Sequence, residues 1–217
     1  VRRGFFITFE GGEGAGKSTQ ARRLAETLRS RGRDVVLTRE PGGSSGAEAL
    51  RALLVTGGAD RWSPLCEALM MNAARADHLE RLIRPALARG AVVICDRFAD
   101  STRAYQGAGG GLSPQALATL ERLVVGEDRP DLTLVFDLPV EVGLERARQR
   151  ADGETRFETK GDDFHQRLRA AYRAIAEAEP DRCVLIDAAR PVEAVWEAVA
   201  AAVDARLVGP APEPAHG

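Results

Sequence analysis

The run Gly11-Gly12-Glu13-Gly14-Ala15-Gly16-Lys17-Ser18-Thr19 limits the folds open to this chain more than any other stretch. Before it, Phe5-Phe6-Ile7-Thr8-Phe9-Glu10 is a short apolar run rich in β-formers. After it, Leu24 and Leu28 recur four apart, and Gly32 stands where a helix stops. Strand, glycine loop and helix in that order are the context in which G-x-x-x-x-G-K-[ST] carries chemical meaning. Glycines at 11, 14 and 16 let the backbone bend tightly, so that successive N–H groups point inward at an anion. A helix opening near Lys17 adds the positive end of its dipole at the same spot. Lys17 is placed to reach the β- and γ-phosphates of a nucleotide, and the Ser18 hydroxyl to hold Mg²⁺. Of thirty Lys and Arg residues only Lys17 and Lys160 are lysine. The arginine bias of the chain thus stops where a compact point charge suits phosphate.

Asp34 to Thr38 predicts a second strand, and Arg39-Glu40-Pro41-Gly42-Gly43 a loop just past its carboxyl end, where α/β sheets carry functional loops. Ser45 and Glu48 predict a capping box for a helix reaching about Leu53. From Pro64 an amphipathic helix keeps Leu65, Leu69, Ala73, Ala76, Leu79, Leu82 and Ile83 on one broad face, with Pro85 kinking or ending it. Arg75 lies on that helix among small residues, which would let a ligand approach it closely. Ala91 to Asp96 is nearly continuous in apolar residues, as a central parallel strand is. The carboxylate at its end, Asp96, stands where a second Mg²⁺-associated acid belongs, and Arg97 offers a fork for a second phosphate. Ser101, Thr102, Tyr105 and Gln106, ahead of a mobile glycine loop at 107–111, suit the lining of a polar planar ligand.

Ser113-Pro114 opens a further helix, with Leu117, Leu120, Leu123 and Val124 as its expected buried stripe. Leu132 to Asp137 is the fourth strand and Pro139 to about Arg150 a helix. Arg146, Arg148, Arg150 and Arg156, with Lys160-Gly161 following, predict a lid over about 147–162 that orders on an anion. A helix over 163–178, a strand over 183–186 and a last helix carrying Val192, Val195, Trp196, Val199 and Val203 complete the β–α alternation. Such an alternation predicts a five-stranded parallel sheet flanked by helices, and with the glycine loop after its first strand a P-loop NTPase three-layer α/β fold with a small lid, in one domain over residues 1–208. Residues 209–217, with three prolines, are expected to be a disordered tail. A net charge of −2 offers no basic field for nucleic acid or a membrane surface, and no apolar run approaches the ~18 residues of a membrane span. No signal peptide is expected ahead of the first strand. Cys66, Cys95 and Cys183, odd in number and widely spaced, read as reduced thiols of a cytoplasmic protein.

Taken together, several pieces resemble the thymidylate kinase family of nucleoside-monophosphate kinases. They are Phe9 to Gln20, Thr38-Arg39-Glu40-Pro41-Gly42-Gly43, Ala73-Ala74-Arg75, Asp96-Arg97-Phe98 through Ser101-Thr102 to Ala104-Tyr105-Gln106-Gly107, Pro130 to Thr133, and Arg156-Phe157-Glu158. The likeness runs from about Phe5 to Leu207. The resemblance implies ATP and dTMP as substrates, Mg²⁺ as cofactor and a homodimer paired through helices, with the helix around 65–83 a candidate. It implies that Glu13 holds the sugar 3′-hydroxyl, Arg97 grips the acceptor phosphate and Arg75 bonds the thymine edge. Thr102 and Gln106 would border the base, with Glu40 and Pro41 also at the substrate site. Tyr105 would stand where a ribose 2′-hydroxyl clashes. The phosphate loop carries no arginine, so the resemblance assigns the arginine that stabilises the moving phosphoryl to the lid: Arg156 first, Arg150 second. Where relatives place an aromatic residue to stack on thymine, this chain has Met71 and Asn72, and Met71 is expected to cover the base face.

Three other readings share part of this pattern: a kinase of the same fold taking UMP, CMP or a nucleoside, a GTP-dependent switch, and a nucleotide-binding scaffold. The N-K-x-D element of guanine selection is missing, since Asn72 is the chain's only asparagine and Ala73 follows it. Against the scaffold stands the fact that every polar position the chemistry requires is filled.

Overall fold

The computed structural model describes residues 4–149 and 156–207. Strands β1 (Phe5–Gly11), β2 (Val35–Arg39), β3 (Val92–Asp96), β4 (Leu132–Asp137) and β5 (Cys183–Asp187) form one sheet in the order β2-β3-β1-β4-β5, every pairing parallel. Helices α1 (Lys17–Ser30), α2 (Ser45–Leu54), α3 (Pro64–His78), α4 (Arg84–Ala88), α5 (Ala99–Thr102), α6 (Pro114–Val124), α7 (Val140–Arg148), α8 (Asp162–Ala178) and α9 (Val192–Arg206) supply the crossovers.

Period-2 alternation along β1 divides the core. Ile7 and Phe9 face one layer, where Leu24 and Leu28 of α1 and Val195, Val199 and Val203 of α9 pack against Ile94, Leu134, Phe136 and Ile186. Phe6 faces the other layer, with Val93, Cys95, Phe98, Leu79, Ile83 and Leu87. On that same face Val135 meets Phe164, Leu168, Tyr172 and Ile175 of α8. Thr8 and Glu10 share the parity of Phe6, so both are polar groups in a fully covered layer. Thr8 satisfies itself on Thr133, Oγ1 to Oγ1 at 2.8 Å; the needs of Glu10 are met at the site.

Several expectations are corrected. The helix from Pro64 leaves α geometry at Leu79–Ile83, which forms a π-helical turn ahead of Pro85. A proline ring presses on the carbonyl four residues back, and an added residue in the turn relieves that contact. The capping box on Ser45 does not form. Ser44 is the N-cap residue and gives its hydroxyl to Asp77 at 2.6 Å, while Glu48 reaches back to the Gly43 N–H at 2.9 Å. The glycine stretch after Gln106 is no loop at its start, because a π-helical segment runs Arg103–Gly109 and packs on α8. A Cβ at Gly109 would stand 2.4 Å from the Phe164 ring, so glycine here serves close packing. On α6 no residue is fully buried: Leu117, Leu120 and Val124 are half-buried, with α6 packed on α3 and on the Arg103–Gly109 segment and Val124 against the layer of Phe6, while Leu123 is 79% exposed. The expected tail, and residues 150–155 of the expected lid with Arg150, lie outside the described residues.

Candidate active site

The glycine loop joins the end of β1 to α1, at the carboxyl edge of the sheet. Gly11, Gly14 and Gly16 take positive φ (133°, 67° and 85°), conformations that a side chain resists. Helix α1 starts with no side-chain cap on its first turn, so its leading N–H groups are the donors a phosphate would meet. Lys17 Nζ donates to the carbonyls of Gly11 at 3.1 Å and Gly12 at 2.7 Å, which holds the ammonium over the loop. Burial, with Arg97 adding repulsion, lowers its pKa to about 8 against the pull of Asp96, Glu13 and Glu10.

Because β3 lies beside β1, its carboxyl end delivers Asp96 and Arg97 to the same edge. The Ser18 hydroxyl donates to Asp96 Oδ2. A hydroxyl and a carboxylate side by side, next to a phosphate-binding loop, form a hard oxygen donor set that fits Mg²⁺. Among the described residues no cluster of three or more His, Cys, Asp and Glu gathers into an alternative metal site.

Arg97 has φ of 70°, the left-handed region, and is the one non-glycine residue so placed among those described. Its guanidinium bridges the two halves of the site. Nη1 donates to the Gly11 carbonyl at 2.9 Å and Nη2 to Glu13 Oε1 at 2.9 Å, while the Tyr105 ring lies 5.0 Å from its centre. Tyr105 adds its hydroxyl to Glu13 Oε1 at 2.5 Å. Glu13, Arg97 and Tyr105 thus form one unit tying the phosphate loop to the segment after β3.

Beside that unit opens a cavity of about 120 Å³. Every residue expected at the substrate site lines it: Glu13, Glu40, Pro41, Met71, Arg75, Arg97, Thr102, Tyr105 and Gln106. Arg75 is buried and fixed on all sides. It donates to Glu40 Oε2 at 2.7 Å, Thr102 Oγ1 at 3.2 Å, the Phe98 carbonyl at 3.1 Å and Asn72 Oδ1 at 3.4 Å. His78 and Thr38 complete the support of Glu40, with His78 Nδ1 at 3.0 Å from Oε1 and Nε2 at 2.8 Å from the Thr38 hydroxyl. Asn72 turns away from the cavity to donate to Ala68 O at 2.8 Å, which leaves Met71 on the wall.

Arg156 is not brought to the phosphate loop. Its guanidinium donates to the carbonyls of Leu54, Gly58 and Ala59 and to Glu67, and no part of the side chain is exposed. The cause is local: the carbonyls at the end of α2 and in the turn after it have no helical partners, and the fork collects them. Gln106 Nε2 shares Glu67 at 3.1 Å, so this anchor touches the cavity wall.

Sequence reasoning gave no site role to Arg51, Phe98 and Phe157, all on the cavity wall, or to Glu10 with Tyr172 behind it. Glu10 left a signal, as a lone acid ending an otherwise apolar strand. The others left none, because exposed arginines and core aromatics occur throughout the chain.

A family profile described as thymidylate kinase matches residues 9–199. A thymidylate kinase of Caulobacter vibrioides is 64% identical over 207 residues, covering 95% of this chain and 99% of that protein. One from Pseudomonas fluorescens is 58% identical over 196 residues, 90% of this chain and 93% of its own. Among solved structures, the crystal structure of thymidylate kinase from Ehrlichia chaffeensis superposes with a TM-score of 0.75 at 35% identity, over 93% of this chain and 99% of that one.

Proposed function

This chain belongs to the thymidylate kinase family, and we propose that it transfers the γ-phosphoryl of ATP to the 5′-phosphate of dTMP, giving dTDP and ADP on the way to dTTP. The observation that carries this reading is the shared wall of the two half-sites. The cavity lined by Arg75, Thr102 and Gln106 opens against Glu13 of the glycine loop, with Arg97 between them. An acceptor held by Arg75 at its base and by Arg97 at its phosphate therefore faces a nucleotide bound by residues 11–19.

Little general-base help is needed, because the acceptor oxygen is already an anion; positioning and charge carry the catalysis. Lys17 meets the donor phosphates and Arg97 the acceptor phosphate. Ser18 and Asp96 would hold Mg²⁺, whose charge, when bound, offsets that of the phosphates. Glu13 receives the sugar 3′-hydroxyl, and Tyr105, fixed on Glu13, fills the space a 2′-hydroxyl would need. Met71 covers the base. Arg156 in its contacts fastens the lid segment to Glu67, so charge from the lid is assigned to Arg150.

Exposed Leu65 and Leu69 on α3 lie beside α6 with Leu123, an unpaired apolar face that supports pairing of two copies there. Among the described residues no helix is long and apolar enough to cross a membrane, and the free thiols Cys66, Cys95 and Cys183 suit the cytoplasm.

The test is ADP formation from Mg-ATP with dTMP, dUMP, UMP, CMP, AMP and GMP, and Lys17→Ala protein as the control for contaminating kinases. Preference for dTMP, abolished in the control, is expected. Equal use of dTMP and dUMP would assign loosened base selection to Met71, and turnover with no acceptor dependence would overturn the reading.

A further inference from the structure

Behind Arg97 lies a buried carboxylate that the reaction as described does not use. Glu10, the last side chain before the glycine loop, has none of its surface exposed. Its Oε1 accepts the backbone N–H of Phe98 at 2.8 Å and of Ser101 at 3.3 Å. Its Oε2 accepts the hydroxyls of Ser101 at 2.6 Å and Tyr172 at 3.2 Å. The first pair lies just past Arg97 and fixes the turn in which Arg97 holds its left-handed φ, a conformation that persists only when its surroundings impose it. The second pair matters for hydrogen direction. Arg97 Nη1 also donates to Ser101 Oγ at 3.3 Å and to Tyr172 OH at 3.2 Å. A guanidinium only donates, so both hydroxyls must turn lone pairs toward it and send their hydrogens elsewhere. The Glu10 carboxylate, an acceptor only when ionised, is where they go; one of the two can also pass through the 2.9 Å contact between Ser101 Oγ and Tyr172 OH.

We propose that Glu10 is a positioning residue for acceptor binding: its carboxylate orients the Ser101 and Tyr172 hydroxyls and the 97–101 turn, so that Arg97 is aimed at the acceptor phosphate. The proposal rests on the reading of Arg97 given above. Its cost is visible in the acid itself, since burial, with Asp100 adding to it, raises the Glu10 pKa to about 7 despite the donors around it. Glu10 and Tyr172 are 162 residues apart, so the relay exists only in the folded chain.

Glu10→Gln tests the hydrogen-direction argument because it keeps the shape. With its oxygen toward Phe98 N and Ser101 N, the amide nitrogen donates to both hydroxyls and leaves at least one hydroxyl hydrogen with nowhere to go but toward Arg97. Flipped, the amide sets donor against donor at the turn. Binding of dTMP and of a non-hydrolysable ATP analogue is measured by calorimetry for the parent, Glu10→Gln, Arg97→Ala and the double variant. Glu10→Gln is expected to weaken dTMP by about tenfold, the scale of one charge-assisted hydrogen bond, and to leave the ATP analogue within about twofold. In the Arg97→Ala background it should add less than about twofold, because the two act as a unit. Equal losses in both backgrounds, or equal loss of both ligands, overturn the proposal while leaving Arg97 its role. If Arg97→Ala by itself leaves dTMP binding unchanged, the acceptor-phosphate reading fails and this inference with it. Should Glu10→Gln not fold, Tyr172→Phe removes one relay hydroxyl, and its loss of dTMP affinity must likewise vanish in the Arg97→Ala background.

Discussion

Gly143, one turn into α7, is outside the glycine-loop motif, yet its backbone sets where that loop lies. A Cβ at Gly143 would stand 2.5 Å from the Glu13 carbonyl oxygen, where about 3.4 Å is the shortest ordinary contact. From the other side, a Cβ at Gly14 would stand 2.0 Å from the Gly143 carbonyl oxygen. Two backbones touch here, with no flexible side chain to give way. On helix propensity alone Gly143→Ala should stabilise the protein by about 0.5–1 kcal/mol. Overlap of this size works against that gain, since forcing a methyl into a packed site costs about 1–3 kcal/mol. Relief has to come from movement of Glu13, which carries Arg97 and Tyr105 with it. A displacement approaching ~1 Å at positioned groups costs about 10²-fold in rate. Steady-state ADP release should therefore show kcat/KM reduced by about two orders of magnitude for both substrates, with a melting temperature equal to or below the parent's. A variant with full activity and a raised melting temperature would show propensity acting alone and refute the claim that this contact fixes the loop.

Arg156→Ala leaves Glu67 buried without its ion-pair partner and should cost about 3–5 kcal/mol in urea unfolding; a loss below about 1 kcal/mol contradicts the anchor. Leu123→Glu places a charge on the apolar face shared by α3 and α6; under the pairing proposed there, the variant should be monomeric in sedimentation equilibrium where the parent is dimeric, and an identical mass for parent and variant contradicts pairing through that face. Glu10 is raised from the ordinary 4.5 to about 7, so between those values the folded protein binds more protons than the unfolded chain. Native stability then falls as pH rises through that window, and the penalty is fully present above about pH 7. Glu10→Gln removes the titration, so its melting temperature relative to the parent's should rise by a few degrees from about pH 5 to about pH 8. A pH-independent gap would place the Glu10 ionisation outside this range.

What the sequence determined by itself is whatever depends on neighbours along the chain. Apolar runs of strand length located all five strands within a residue or two, because period and β-propensity are local. The glycine loop was legible because positive φ at Gly11, Gly14 and Gly16 needs glycine whatever surrounds it. Asp96 and Arg97 could be named because a charged pair ending an apolar strand has to emerge at a sheet edge. Resemblance, more than pattern, supplied Arg75, Tyr105 and Gln106, and the cavity gathers them. Tertiary structure decided the rest. The order β2-β3-β1-β4-β5 brings Asp96 beside Ser18 across 78 residues, and Arg97 beside Glu13 across 84. No local signal distinguishes Arg156, closed on Glu67, from the other arginines around it, because its partners are carbonyls left open by a distant helix end. The stripe on α6 has the period of a buried face, and yet Leu117, Leu120 and Val124 are only half-buried and Leu123 is exposed, since periodicity states that a face exists and only packing states how far it is covered. Glu10 and Gly143 show the same limit. A lone acid and a helical glycine are unremarkable along the chain, and they acquire meaning from Tyr172 and the Glu13 carbonyl, which folding alone brings within reach.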